Sequence, residues 1–214
     1  MAAGTMPLHS TSVSDMPTMN ATFEEPRMAS SPRRPVVPSA VLGMLFLVVA
    51  EVMFFSGAIS AFTISRAGAL PGTWPVPGQP QLPAEATALN TALLILSGLI
   101  LVGAQYFFSK RSSLAPWLTL ASWALGTAFV ALQGVEWFAL LTHGLTLTSS
   151  RLGSFFYLIV GAHALHAIAA LVVLGWAWWQ MARGKLVASF FWGTQTFWYF
   201  VVLLWPVIYA RVYF

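Results

Sequence analysis

Four ionisable side chains lie inside long apolar stretches of the sequence, where they are able to act as acids, bases or ligands. Glu51 lies in the middle of LFLVVAEVMFFSGAISAF, and Glu136, His163 and His166 lie in comparably apolar surroundings. An ionised side chain at the centre of a bilayer costs ~2.5–3.5 kcal/mol even on the mildest insertion scales. Carboxyl and imidazole groups in such places therefore are candidates for proton transfer, ligand binding or helix pairing.

Glu51 has two interpretations. A helical rise of ~1.5 Å per residue places it about 20 Å from the cytoplasmic end of its helix, near the middle of the membrane. Gly43, Ala50 and Gly57 recur at every seventh position beside it, and such small residues allow the close approach of a neighbouring helix. We favour a buried, neutral carboxyl that is hydrogen-bonded at a helix interface. A role in a proton path or as a ligand stays open.

The spacing of His163 and His166, three residues apart, places both on one face of a helix. They cannot bind opposite faces of one haem, and His143 is the other histidine outside the N-terminal tail. Both together with Glu51 or Glu136 would have the chemistry of a metal site. Buried histidines are more often packed and hydrogen-bonded than bound to metal, so we expect neither a metal nor a cofactor in this chain.

The overall composition indicates an integral membrane protein. Of the 214 residues, 58% are hydrophobic and 7% are charged, whereas soluble domains carry about 25% charged residues. Ten Trp and sixteen Phe residues are typical of the aromatic belts at membrane interfaces. The Lys and Arg residues are scattered among the loops, which argues against a nucleic-acid partner. The lack of cysteine excludes disulfides and iron–sulfur clusters.

Five apolar runs reach the roughly 20 residues that a helix needs to span a bilayer. The predicted helices lie near residues 37–65, 86–108, 114–142, 152–182 and 189–211. These runs lack the two-residue alternation of barrel strands, so helices are the way to satisfy their backbone in lipid. The sequence therefore predicts an all-α integral membrane protein, a bundle of five transmembrane helices within residues 36–214.

The distribution of Lys and Arg predicts the orientation of the bundle. Seven of the ten lie in the N-terminal tail and in the second and fourth loops, and three lie on the other side. The positive-inside rule then places the N-terminus in the cytoplasm and the C-terminus outside. Residues 1–35 are rich in Ser, Thr, Met and Pro without an apolar core. They predict a flexible polar tail rather than a secretory signal.

Four blocks of the sequence match the pattern of one known family. They are AEVMFFSGAISAF (50–62), LNTALLILSG (89–98), LQGVEWFALLTHGLTLTSSRLGSFFYLIVGAHALHAIAAL (132–171) and FWYFVVLLWPVIYARVYF (197–214). In order and spacing they resemble subunit III of the haem–copper oxidases, where the first block carries a glutamate and the third a histidine pair. Five helices resemble the short form of this subunit that occurs in bacterial oxidases. Tyr199 replaces a His of the family's closing motif.

The resemblance implies a subunit without redox centres in a bacterial cytochrome c oxidase. Its partners would be catalytic subunit I, subunit II and further respiratory subunits, with haem and copper in the partners. The family's buried carboxylate corresponds to Glu51, its second acid to Glu136, and its histidine pair to His163 and His166. Members support the stability and proton uptake of the catalytic subunit and bind structural phospholipid. The expected place is the bacterial plasma (inner) membrane, in aerobic respiration coupled to proton pumping.

Other functions remain open at this point. The chain also resembles subunit III of quinol oxidases and an accessory subunit of nitric oxide reductases, so the electron donor is not determined. A small membrane transporter is the non-enzymatic alternative. It would show an internal repeat and helices broken near the midplane, and the sequence shows neither.

Overall fold

Five long helices make up the part of the chain that the computed structural model describes, namely Met1, residues 39–70 and residues 84–213. They are α1 (Ser39–Ala67), α2 (Ala84–Ser109), α3 (Ala115–Thr142), α4 (Arg151–Ala182) and α5 (Ala188–Val212). All five are long and apolar enough to cross a membrane. The predicted fold class is confirmed, and each helix end lies within two residues of its predicted position. Apart from Met1, the predicted tail lies outside the described residues.

Capping and turn residues determine where α4 begins and where α3 and α4 end. The Ser150 hydroxyl accepts a hydrogen bond from the Gly153 backbone N–H at 3.0 Å and caps the N-terminus of α4. Gly144 and Gly184 follow the C-caps of α3 and α4 with φ angles of +87° and +66°, a conformation that glycine adopts without strain. These short turns make α4 antiparallel to both α3 and α5.

Helix α5 lies at the centre of the bundle and packs against α1, α2 and α4. Its Trp198 and Trp205 are almost fully buried, and Trp205 packs edge-on against Phe129 of α3 with 5.1 Å between ring centroids. Helix α1 packs on α4 and α5, and among the described residues its backbone does not come close to that of α2 or α3. In the most apolar stretch of α1 only 6% of the residues are buried, against 61% in α5. Helix α1 therefore lies at the edge of the bundle.

The glycines of α1 make no close helix contact within the described part of this chain, although their size would allow one. A Cβ atom built on Gly43 or Gly57 would meet no other atom within 4 Å. Helix α1 is held instead by bulky side chains, of which Phe55 and Phe62 are at most 1% exposed. A close approach occurs at Gly126 of α3, where a Cβ atom would lie 2.5 Å from the ring of Trp198.

Candidate functional site

Glu51 of α1 pairs with His166 of α4 inside the bundle. The Glu51 Oε1 and His166 Nε2 atoms lie 3.1 Å apart, and each side chain is 20% exposed. Glu51 is therefore largely but not fully buried. The ring of Phe55, one turn after Glu51 on α1, stands edge-on to His166 with 5.7 Å between centroids and covers the inner side of the pair.

The other nitrogen of His166 shows how protons are placed in this pair. His166 Nδ1 lies 2.7 Å from the backbone carbonyl oxygen of Ala162. A carbonyl oxygen only accepts hydrogen bonds, so Nδ1 carries a hydrogen and donates it. The Nε2 atom then either accepts a hydrogen bond from a neutral Glu51 carboxyl or, as an imidazolium, donates one to its carboxylate. The pair is neutral overall in both forms, with one proton shared between the two residues.

Glu136 of α3 lies in a second polar site, formed with α2. Its Oε2 accepts hydrogen bonds from the Thr87 hydroxyl and the Gln133 amide, both at 2.9 Å. Its Oε1 accepts one from the Asn90 amide at 2.8 Å. The Gln133 amide also lies 3.3 Å from the Tyr213 hydroxyl, just beyond α5. Burial raises the pKa of Tyr213 above its usual value, which keeps this hydroxyl neutral.

His163 lies among aromatic side chains rather than in either polar site. It is 1% exposed and stacks on Trp205 of α5, with 5.1 Å between ring centroids and 29° between the planes. Neither of its ring nitrogens has a hydrogen-bond partner among the described residues. Phe55 stands edge-on to His163 as well as to His166. The two histidines therefore share Phe55 as a neighbour, whereas the Glu51 carboxyl pairs with His166.

The structure brings together one pair of the four predicted residues. Glu51 meets His166, whereas Glu136 and His163 take different neighbours. Within residues 39–70 and 84–213, no three His, Cys, Asp or Glu side chains lie close enough to hold a metal ion. The arrangement is suited to holding α1 on α4 and α2 on α3 by hydrogen bonds.

Two partners of Glu136, namely Thr87 and Asn90, were not singled out from the sequence, and neither was Tyr213, which is hydrogen-bonded to Gln133. Asn90 falls in the LNTALLILSG block, and a carboxamide in an apolar helix is itself a signal of an interhelical hydrogen bond. Thr87 precedes that block by less than one turn. Nothing in the sequence pairs these residues with Glu136, because the contact joins positions 46 and 49 residues apart.

Comparison with known proteins decides the family. The family model for cytochrome c oxidase subunit III matches residues 18–214, which include all five helices. The chain belongs to the cytochrome c oxidase subunit III family. Glu51, Glu136, His163 and His166 all lie within the matched region.

Curated members of the cytochrome c oxidase subunit III family are similar along most of the chain. Cytochrome c oxidase subunit 3 of Pelomedusa subrufa is 30% identical in an alignment of 180 residues that covers 80% of this chain and 67% of the relative. The subunit of Tragelaphus oryx is 29% identical over 84% of this chain and 71% of the relative. That of Ornithorhynchus anatinus is 29% identical over 80% of this chain. These relatives are eukaryotic.

Membership of the subunit III family has direct consequences. Cytochrome c oxidase is an oxidoreductase complex, and a subunit III chain associates with other subunits of such a complex. The five membrane-spanning helices make this a multi-pass membrane protein. The apolar outer surface of the bundle also indicates a membrane protein. Large side chains such as Phe46, Met53 and Ile64 of α1 are about 70% exposed. These side chains face lipid or partner subunits.

Proposed function

We propose that this chain is the non-redox subunit III of a bacterial cytochrome c oxidase and supports the stability and proton uptake of catalytic subunit I. The observation that carries the proposal is the family match across all five helices. In this role the chain contributes no redox centre, and haem and copper belong to the partner subunits. Electrons from cytochrome c reduce oxygen to water there, coupled to proton pumping across the plasma membrane.

The polar sites support a structural contribution. Glu51 and His166 form a neutral pair that joins the edge helix α1 to α4. The hydrogen bonds that Glu136 of α3 accepts from Thr87 and Asn90 of α2 join the two helices near the end that the positive-inside rule places outside. Fixed helices give the catalytic subunit a rigid surface to pack on, which is how a subunit without redox centres stabilises its neighbour.

A lipid role is supported by a groove between α1 and α5. The groove has a volume of about 530 Å³ and an apolar lining that includes Val52, Phe55 and Leu203. Such a volume and lining suit an acyl chain. We therefore propose that a structural phospholipid of the complex lies along α1, where the helix buries little of its own surface.

Purification of the chain with its partners tests the proposal. The tagged chain is extracted in mild detergent from its native membrane, and the copurifying proteins, haems, copper and phospholipids are identified. We expect subunits I and II, haem, copper, and oxygen consumption that is driven by reduced cytochrome c. Oxygen consumption with quinol alone would assign a quinol oxidase, and turnover of nitric oxide without oxygen consumption would assign a nitric oxide reductase. Recovery without any redox partner would refute the proposal.

A second measurement separates the structural role from a catalytic one. After removal of this subunit, the remaining complex should begin turnover at its normal rate and then lose activity during repeated turnover. An immediate and complete loss of oxygen reduction, with the haem spectrum unchanged, would contradict a supporting role.

A further inference from the structure

A groove rich in tryptophan lies along α4, in the half of the helix that the positive-inside rule places towards the cytoplasm. It has a volume of about 560 Å³ and is formed by α4 residues from Val172 to Trp179, together with Trp123 of α3 and Phe190 of α5. Its lining is almost wholly apolar, and its volume falls within the ~300–1,000 Å³ that ligand sites occupy. It shares no lining residue with the groove between α1 and α5.

One wall of the groove is the indole of Trp123, which the fold holds in place. Its Nε1 atom donates a hydrogen bond to the Leu171 carbonyl oxygen at 3.0 Å. Gly175 of α4 permits this close approach, because a Cβ atom there would lie 2.9 Å from the same Nε1 atom. The polar atom of the indole is therefore satisfied within the protein, and the rest of the ring gives the groove a fixed apolar wall.

A cation lies at the end of this apolar groove. The Arg183 guanidinium stacks on Trp179, a lining residue, with 3.7 Å from its central carbon to the ring centroid. Stacking engages the face of the guanidinium and leaves the N–H groups at its edge able to donate. Within residues 39–70 and 84–213 the acidic side chains are Glu51, Glu85 and Glu136, and none of them pairs with Arg183. The charge of Arg183 is thus free to bind an anion.

The distance from the inner end of the groove to this cation matches one leaflet of a bilayer. At ~1.5 Å per residue, Val172 lies about 16 Å from Arg183 along α4, and half of a hydrocarbon core of ~30 Å is about 15 Å. A lipid with an acyl chain in the groove therefore has its phosphate at the level of Arg183. Lys185 follows two residues later and adds a second positive charge there. The cytoplasmic leaflet is the one that carries anionic lipids.

We propose that this groove binds one anionic phospholipid of the cytoplasmic leaflet. An acyl chain packs against Trp123, Trp176 and Phe190, and the Arg183 guanidinium donates to the phosphate oxygens, a pairing that suits its planar fork. A zwitterionic lipid would bring a cationic group towards Arg183 and Lys185, which like-charge repulsion disfavours. The site selects a headgroup as well as a chain, and it is independent of the lipid proposed along α1 and of the electron donor.

A density map of the assembled complex, in nanodiscs of equal parts phosphatidylglycerol and phosphatidylcholine, is the direct test. We expect continuous density of an acyl chain in the groove and phosphate oxygens about 2.7–2.9 Å from the Arg183 nitrogens. An empty groove would overturn the proposal, as would a lipid whose phosphate lies away from Arg183. A helix of a partner subunit or of a second copy in the groove would overturn it as well.

Lipid retention shows whether the site selects the headgroup. The complex from these nanodiscs is washed in mild detergent, and the retained phosphatidylglycerol and phosphatidylcholine are counted by mass spectrometry. Arg183→Gln should lower the retained phosphatidylglycerol by a single molecule per complex and leave phosphatidylcholine unchanged. Lys110→Gln is the matched control, because Lys110 also stands over an aromatic ring, that of Tyr106 at 5.7 Å, but neither residue lines the groove.

The control should retain as much of both lipids as the wild-type complex. Equal phosphatidylglycerol retention in the two variants would contradict the assignment of Arg183. A loss of phosphatidylcholine in place of phosphatidylglycerol would overturn the selection of an anionic headgroup. If Arg183→Gln fails to assemble, the wild-type map decides the matter.

Discussion

The pairing of Glu51 with His166 predicts a specific pattern of mutational effects. Because Nδ1 of His166 donates to the Ala162 carbonyl oxygen, Nε2 of the neutral ring is an acceptor. Glu51→Gln keeps the volume and presents an amide N–H to that acceptor, so we expect a loss below ~1 kcal/mol. Glu51→Leu leaves Nε2 without a partner and should cost about 1–3 kcal/mol. The 20% exposure of both side chains favours the lower part of that range.

A double-mutant cycle isolates the interaction itself. His166→Leu removes the other half of the pair, and the double variant Glu51→Leu/His166→Leu leaves neither group unsatisfied. We expect the double variant to be more stable than the sum of the single losses implies, with a coupling of ~1–2 kcal/mol. Glu85→Gln serves as the matched control, since Glu85 is exposed in the first turn of α2.

The measurement is retention of the chain in the purified complex during a graded exposure to sodium dodecyl sulfate, with steady-state oxygen consumption on the same samples. Additive losses in the cycle would show that the 3.1 Å contact contributes nothing to stability. A Gln variant as damaging as Leu would refute the acceptor assignment of Nε2. If Glu51→Gln assembled normally but abolished turnover, Glu51 would be moving protons and the structural role would fall.

Four further outcomes are expected. Gly126→Ala places a Cβ 2.5 Å from the Trp198 ring and should lower stability by about 1–3 kcal/mol in the same retention assay. Gly134→Ala, where the space is open, should be neutral. Equal effects of the two substitutions would contradict the packing at Gly126. Glu136→Leu removes an acceptor shared by three donors and should release the chain from the complex more readily than Glu51→Leu, and the reverse order would contradict the network. Expressed alone, the chain should aggregate in mild detergent, because its apolar outer surface needs partners or lipid; a stable monodisperse preparation would speak against a subunit. Freed of its partners, it should show no Soret absorbance and no bound copper, and stoichiometric haem or metal would refute the non-redox assignment.

Most of the fold was predictable because lipid restricts the choices. A backbone that crosses hydrocarbon must satisfy its own hydrogen bonds, so the apolar runs had to be helices of bilayer length. Hydropathy does not show which helices pack against each other. The small residues of α1 would allow a tight contact at Gly43 and Gly57, yet the space beside both is open. The pattern of small residues shows where approach is permitted, and the bulky Phe55 and Phe62 determine where it occurs.

The candidate residues were visible for the same reason, since an acid or histidine stands out in an apolar helix. Their partners were not. A helix wheel gives the face on which Glu51 lies, but the choice of His166 over His163 depends on how α1 is shifted along α4. That shift follows from packing around Phe55, which contacts both histidine rings. Likewise the surroundings of His163 include aromatic rings from α1 and α5, and no single helix shows which rings will meet.

The position of α1 at the edge of the bundle has a consequence for biosynthesis. Helix α1 is made before α4 and α5, the helices with which it has its contacts. His166 leaves the ribosome about 115 residues after Glu51, which is roughly 6–23 s at ordinary rates of elongation. During that interval Glu51 stands in an apolar helix without the partner it will have. A membrane chaperone or a protease would therefore act on this protein while α1 is in the membrane without α4. Insertion of α4 then gives Glu51 its partner and ends this period.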